Sequence, residues 1–402
     1  MKQQNQIPKV AVMVETSRGY ARDILRGVLR YEVLYGPWEL YAVPGGREEQ
    51  HLPDWTVSGK RGKKGIIAHI TTEEMAKEII AVPLPTVSVF PTDDIPDIAK
   101  KIRSYSEVRC DSAAIGRMGA AHLLERHFLY YGFVGELYDA DWSRLRRDAF
   151  CETITQNGYE TFLYPTPSPE ESDWTAEQHR LSRWLQTLPK PIGIFAATDI
   201  RGRRVIEACH KARIAVPDEA AVLGVDNDEL FCETITPRLS SISIDAERAG
   251  YESAALLNQL MFGGKERTSA VFGPLRTVSR QSSDFYRVED KMVAEALKYI
   301  QTHYSQPIGV PDIVRATKGS RRILEIRFKK NMGHSIMEEI KKRRLNKVKL
   351  LLLDSDLSLE EIAEHCGFQS KNYLINVFRK EFHMTMGAFR ESHHHPVRKR
   401  LR

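Results

Sequence analysis

Near the C-terminus one pattern of residues occurs twice, and this duplication constrains the fold more than any other feature of the 402-residue chain. In the segment DLSLEEIAEHCGFQSKNYLINVFRKEF, Ser358 stands three positions before Glu361, the spacing of a capping box, where each side chain accepts a hydrogen bond from the other's backbone. Leu359, Ile362 and Ala363 give the following helix an apolar face, and Gly367 ends it. Ser370 can cap a second helix in which Tyr373, Leu374, Val377 and Phe378 recur at helical spacing to pack on the first. The earlier segment IGVPDIVRATKGSRRILEIRFKKNMG repeats this: Ile313 answers Ile362, Ser320 answers Ser370, Leu324 answers Leu374 and Phe328 answers Phe378. Pro311 suits the first turn of its opening helix. Two short helices around a turn, present twice, predict two helix-turn-helix units.

The faces left outside carry the chemistry. On the later unit these are Asn372, Ile375, Asn376 and Arg379, with Ser370 and Lys371 at the helix start. On the earlier unit they are Arg322, Glu325, Ile326 and Lys329, with Arg321 beside them. Asn pairs bidentately with adenine and Arg with guanine, so both stripes suit base edges, Arg322 foremost. Between the units, SIMEEIKKRRLNKVKLLLLDSD reads as one long helix in which Ile340, Leu345, Val348 and Leu352 alternate with basic residues. On a lone helix that basic run would be a solvated face, but beside two such units Arg344 and Lys347 are expected to meet phosphates. Charge agrees: residues 285–402 carry 24 Lys and Arg against 14 Asp and Glu, net +10, whereas residues 1–284 carry 35 against 39, net −4. Charge alone points only to a polyanion; together with the helix pattern it points to double-stranded DNA.

From about Val293 to Arg390 this arrangement resembles the DNA-binding domain of the arabinose-regulator family. The residues that carry the likeness are Arg344-Leu345 and Leu351-Leu352 in the linker helix, Ile362-Ala363, Cys366-Gly367-Phe368, Tyr373, Phe378-Arg379-Lys380 and Phe389-Arg390. Val348 departs from the family's usual alanine, and His383 and Met386 stand where glycine and proline are typical. The resemblance implies that each second helix enters a major groove on one face of the duplex.

Ahead of this region, from Val10 to about Val278, short apolar runs alternate with helical stretches: VAVMV, WELYAV, GIIA, TVSVF, GFVG, IGIFAA and AAVLGV are the strand candidates. Such alternation predicts a parallel sheet covered by helices on both faces. Open α/β sheets bind ligands beyond the carboxyl ends of their strands. Those positions hold Glu15, Ser17, Arg18, Tyr20 and Arg22 after the first run, Glu136 after GFVG, Asp199 after IFAAT and Asp226 after VLGV. Carboxylates accept hydrogen bonds from sugar hydroxyls and Arg donates a rigid fork to their oxygens, so the crevice suits a neutral polyol, with Tyr20 or Trp142 stacking on its apolar face.

The stretch from IGIFAATDI through GYESAALLNQL resembles the sensor domain of the lactose-repressor family, which has the two-lobed fold of periplasmic sugar-binding proteins. It carries Asp199, Val216-Pro217-Asp218, Gly224-Val225-Asp226, Pro237-Arg238-Leu239-Ser240-Ser241 and Gly250; Arg146 with Ala149-Phe150 is similar to that family's Arg-x-x-Gly-Phe, alanine replacing the glycine. The resemblance implies that Asp199, Asp226 and Arg146 contact the effector. For Asp111, near the hinge, capping of the following helix is the expected role. The expected fold is therefore an α/β sensor of two lobes with parallel sheets over residues 1–284, then an all-α domain with two helix-turn-helix units over 285–392, then a basic tail over 393–402. Lactose-type repressors carry their DNA-binding helices before the sensor, and here the first strand starts by Lys9, which leaves no room for them. A sensor of one family ahead of a DNA domain of the other is similar to the bacterial xylose-operon activators. That resemblance implies a pentose effector, D-xylose foremost, a homodimer, and contact with RNA polymerase.

Other readings have less in the sequence behind them. No Walker A motif, GxSxG elbow, HExxH or CxxC cluster points to an enzyme or a bound cofactor, and GKRGKKG at 59–65 reads as a basic surface loop. His393 to His395 lie in a terminal basic tail without a second ligand cluster, so no metal is expected. A different sugar stays open as effector, and so does a purine or phosphosugar, because Arg18, Arg22 and Arg144 can serve a phosphate; repression in place of activation stays open as well. The polar N-terminus MKQQNQIPKV, the absence of any membrane-length apolar run and five cysteines without a CxxC pair suit a cytoplasmic protein.

Overall fold

The computed structural model describes residues 7–46, 50–57, 62–91, 101, 105–138, 140–165, 174–264, 269–284, 290–355 and 357–393. The loop at 59–61, part of the connection after Asp284 and the tail beyond His393 lie outside them. The chain divides into two compact units, Met1–Phe285 and Tyr286–Arg402.

The first unit contains two six-stranded sheets. One runs in the order β11 (Ser269–Phe272), β5 (Tyr105–Cys110), β4 (Thr86–Val89), β3 (Lys64–Ala68), β1 (Lys9–Met13) and β2 (Glu39–Ala42), every pairing parallel. The other runs β12 (Pro274–Val278), β10 (Ser240–Ile244), β9 (Ala220–Asp226), β8 (Ile192–Ala196), β6 (Tyr130–Val134) and β7 (Thr161–Leu163), parallel except for β10 against β12. Continuous burial of β8 and of Ala220 to Val225 explains why those strands read as unbroken apolar runs: helices cover both sheet faces. The helices of the first lobe are α1 (Gly19–Tyr35), α2 (Glu73–Ala81) and, from later in the chain, α8 (Ala246–Met261). Those of the second are α3 (Ser112–Leu124), α4 (Asp141–Gln156), α5 (Trp174–Thr187), α6 (Asp199–Ala212) and α7 (Glu229–Glu233).

The chain crosses between lobes at Asp111, Asp245 and Gly273, and the crossings are tied together: Asp111 N donates to Phe272 O at 2.8 Å and Asp245 N to Gly273 O at 3.1 Å. Asp111 also accepts from Ala114 N at 2.8 Å, capping α3 as expected. At the end of the unit, a strap of residues 279–284 is bound to the second lobe. His122 Nε2 lies 2.8 Å from Ser283 Oγ, and Arg126 donates to Ser283 O at 2.6 Å and to Ser279 Oγ at 3.2 Å. Ser282 Oγ accepts from Ser240 N and donates to Val222 O, at 2.8 and 2.7 Å.

The second unit is helical: α9 (Lys291–His303), α10 (Val310–Thr317), α11 (Arg321–Met332), α12 (Ile336–Asp354), α13 (Leu359–His365), α14 (Lys371–Phe382) and α15 (Met386–His393). Caps occur where the sequence places them: Ser320 accepts from Ile323 N, Ser370 from Tyr373 N, and Ser358 and Glu361 close their capping box. The duplication is longer than the motif suggested. Leu345, Val348 and Leu352 on α12 are buried at the same spacing as Val293, Ala296 and Ile300 on α9, so each repeat is a three-helix unit. Meanwhile α12 serves both: Ile336 and Ile340 belong to the first unit's core, Leu345, Val348 and Leu352 to the second's. Met386, opening α15, is buried like Ile336. His383 ends α14 in the left-handed region at φ 54°, its N–H donating to Arg379 O, as Gly333 ends α11 at φ 75°. A side chain thus takes a conformation that glycine adopts without steric cost.

Two expectations about α14 need correction. Tyr373 does not pack into the core; it lies in the first turn, 52 % exposed, its ring 6.1 Å from that of the buried core residue Phe368. Ile375 is half-buried against the core and stands on the helix flank, since Leu374 and Phe378 alone anchor the inner face.

Candidate functional site

Between the lobes lies a narrow cleft, faced by Arg18, Gly19 and Tyr20 on one side and Asp199, Asp226, Asp228 and Phe231 on the other. Asp226 is the last residue of β9 and has φ 104°, followed by Asn227 at φ 52°. Two successive positive φ values at non-glycine residues store backbone strain, which proteins retain mostly where a site requires it. Burial pushes the Asp226 carboxyl up to about 6 despite the opposing pull of Arg146 and Arg18. Arg146, on α4, is buried; it donates to Ala197 O, lies over the Trp142 ring at 4.8 Å, and its Nε has no hydrogen-bond partner among the described residues.

Asp199 lines the cleft with its carboxylate already engaged, accepting from Ser241 Oγ and from Asp228 N. Burial and the nearby Asp226 raise its pKa well above the ordinary carboxylate range. Thr198, not Asp199, caps α6. Across the cleft, Asp228 Oδ2 accepts from Gly19 N at 2.7 Å and faces Arg22 Nη2 at 3.2 Å. Arg18, the N-cap of α1, makes no side-chain cap, so a carboxylate from the other lobe caps this helix. Glycine is needed there: a Cβ on Gly19 would stand 2.8 Å from Asp228 Cγ.

Of the expected ligand set, Tyr20, Asp199 and Asp226 line the cleft, and Arg146 reaches it through its charge toward Asp226. Tyr20 also packs on Phe90, with its hydroxyl 3.4 Å from His69 Nδ1. Arg22 is not available to a ligand, because its guanidinium is spent on Thr16 O, Ser17 O and Asp228; it holds the lobes together. Glu15 accepts from Arg18 Nε and Ser17 Oγ, Glu136 from Leu137 N, and Trp142 stacks on Arg146, so these three stand behind the lining. Arg18, named with the residues after the first strand, also lines the cleft, whereas Asp228 and Phe231 were absent from that set. For Asp228 no local signal exists, since its partner Gly19 lies 209 positions away.

In the second unit, α11 buries only Leu324 and Phe328. Arg321, Arg322, Glu325, Ile326, Arg327, Lys329 and Lys330 are exposed, and Ile323 and Ile326 show 46 % and 59 % of their surface, an unusual exposure for a helix packed on its neighbour. Apolar side chains so placed suit thymine methyl groups. Arg321 pairs with Glu325 and Lys371 with Glu360, exposed pairs that exchange readily for phosphate. On α14 the exposed stripe is Asn372, Tyr373, Asn376, Arg379 and Lys380; Ser370 spends its hydroxyl on the cap. Arg344 and Lys347 are a further correction. Arg344 is 9 % exposed and donates to Tyr304 O and Gln306 O; Lys347 donates to Ser305 Oγ and His365 O. Backbone carbonyls at helix ends hold these two cations.

Residues 120–283 match the family described as a periplasmic binding protein-like domain, and residues 313–392 that described as a helix-turn-helix domain. The chain is 31% identical over 386 residues to the xylose operon regulatory protein of Haemophilus influenzae, covering 95% of this chain and 98% of that protein. It is 28% identical over 389 residues to the protein of the same name in Escherichia coli, covering 95% and 97%. A solved structure of a xylose-binding transcription activator matches with TM-score 0.61 and 27% identity over 97% of this chain and 99% of that one. A LacI family transcriptional regulator from Enterococcus faecium with bound ribose shares the sensor fold at TM-score 0.51 and 17% identity, over 69% and 98%. Among the described residues no helix is long and apolar enough to cross a membrane.

Proposed function

The chain belongs to the family of xylose operon regulatory proteins, and on that premise we propose that it activates transcription by binding duplex DNA through α11 and α14 when D-xylose occupies the cleft between its sensor lobes. The observation that carries this reading is Asp226, held in strained backbone at the mouth of β9 opposite Arg146. Its charged carboxylate accepts hydrogen bonds from two sugar hydroxyls, and the unpartnered Nε of Arg146 offers a donor. A phosphosugar is disfavoured, because Asp199, Asp226 and Asp228 crowd the lining with acids while Arg22 is already paired.

The DNA-reading set is Arg321, Arg322, Glu325, Ile326 and Lys329 on α11 with Lys371, Asn372 and Asn376 on α14. A homodimer, contact with RNA polymerase and a cytoplasmic location complete the proposal. In support of the first, α1 exposes Leu29, Val33, Leu34 and Tyr35, an apolar stripe of the kind that mediates association. The description of the full-length solved relative as an activator supports the second. Five free cysteines suit a reducing compartment.

The test is calorimetric titration of the full chain with D-xylose, ribose 5-phosphate and adenine in parallel, followed by DNA binding with and without the sugar. D-xylose alone should bind, and it should change DNA affinity. Preference for the phosphate ester or the purine would overturn the proposal.

A further inference from the structure

At the middle of α12 the two helix-turn-helix units meet in a small polar joint. Lys347 Nζ donates to Ser305 Oγ, in the turn that ends α9 of the first unit, at 2.9 Å, and to His365 O, at the end of α13 of the second, at 2.7 Å. One turn earlier, Arg344 donates to Tyr304 O at 2.8 Å and Gln306 O at 2.7 Å, and its guanidinium lies 5.9 Å from the Phe368 ring of the second unit. The backbones touch at the same place: a Cβ on Gly367 would lie 2.8 Å from Ser305 O and 2.9 Å from Tyr304 O. Thus the turn 304–306 receives Arg344 and Lys347 of α12 and the close approach of the second unit's own turn.

Resting on the DNA-binding reading above, we infer that Arg344, Lys347 and Gly367 are positioning residues that set the spacing of the two DNA half-sites this chain accepts. Packing on α12 through Ile336 and Ile340 in one unit and Leu345, Val348 and Leu352 in the other sets each unit's angle about that helix, and bonds that span from one unit to the other stiffen it. A recognition helix packed about 10 Å from the α12 axis moves by about 3.4 Å, one base-pair rise, when its unit rolls by about 20°. Stiffness at this joint therefore converts two separately readable half-sites into one site of fixed length.

The experiment uses the full chain and a pool of random-sequence duplexes, from which the wild type, Lys347→Met and Arg344→Met each select their binders. The wild type should select paired half-sites at a single spacing. Both variants should recover the same half-site sequences over a spread of spacings, with discrimination against one inserted base pair reduced about tenfold, the size expected for loss of a coupling near 1.4 kcal/mol. An unchanged, narrow spacing in both variants would overturn the inference, as would loss of the half-site sequences themselves in both, which would put the cations on the DNA. Selection of no sequence by the wild type would instead refute the DNA-binding reading, so the two failures are distinguishable.

Discussion

Replacing Asp228 tests whether a carboxylate from one lobe, capping a helix of the other, helps to hold the sensor shut. Three interactions end with Asp228→Ala: the cap on Gly19 N at 2.7 Å, the charge at the N-terminus of α1, and the pair with Arg22 at 3.2 Å. A cap contributes about 1 kcal/mol, a partly buried charge at a helix start about 1 kcal/mol, and a pair with a guanidinium one-third exposed about 0.5 kcal/mol. They overlap, so the closed state should lose about 2 kcal/mol, whereas Asp228→Asn, which keeps an acceptor for the amide and loses the charge, should lose about 1 kcal/mol. If open and closed states are both populated without sugar, part of the loss passes into affinity, weakening D-xylose binding by up to about 30-fold for Ala and about 5-fold for Asn. Calorimetry gives the affinities, and small-angle scattering without sugar reports the opening directly, as an increased radius of gyration for Asp228→Ala. Wild-type affinity together with an unchanged radius would refute the reasoning; weaker binding at unchanged radius would make Asp228 a sugar contact instead.

Asp226 predicts opposing pH effects. Its folded pKa of about 6 lies above its ordinary 3.8, so its contribution to stability is fully present below 3.8 and lost as pH rises through about 6, while sugar binding needs the charged form. D-xylose affinity should therefore fall between pH 7 and 5 as unliganded stability gains, and Asp226→Asn should bind weakly with a flat profile; a wild-type affinity in that variant would remove Asp226 from the site. Arg322→Ala and Asn372→Ala should each cost about 1–3 kcal/mol on the preferred sequence and relax base preference, measured against a duplex set varied at single positions. Equal weakening on every sequence would make either residue a phosphate contact. His383→Gly should raise stability in urea unfolding by about 0.5–1 kcal/mol, since glycine occupies φ 54° without steric cost; a loss of stability would mean that the His383 side chain contributes more than its backbone costs.

Much of this architecture was legible in the sequence because it depends on local periodicity. Buried strands such as AAVLGV announce themselves as apolar runs, and the caps Ser320, Ser358 and Ser370 by their distance from the next helix. Strands β5, β7, β10, β11 and β12 did not: YSEVRC and SSISI carry Ser, Glu and Arg inside the sheet, and TFL is three residues long. Their placement follows from the sheets they join. The cleft was legible by the same rule, since Tyr20, Asp199 and Asp226 follow strands, but which residues would be free was not. Arg22 looks like a ligand until Asp228 faces it, and Arg344 and Lys347 look like phosphate contacts until the carbonyls of Tyr304, Gln306 and His365 turn toward them. Charge in sequence gives sign; only the fold supplies the counterpart.

The strap that ends the sensor has a mechanical consequence. Every bond described for Ser279, Ser282 and Ser283 is to the second lobe, through His122, Arg126, Ser240 and Val222. For whatever is carried on the chain beyond Asp284, the second lobe is the frame of reference and the first lobe the moving part. When the first lobe swings on its three hinge crossings, no tension runs along the strap, and the departure point of the chain stays fixed.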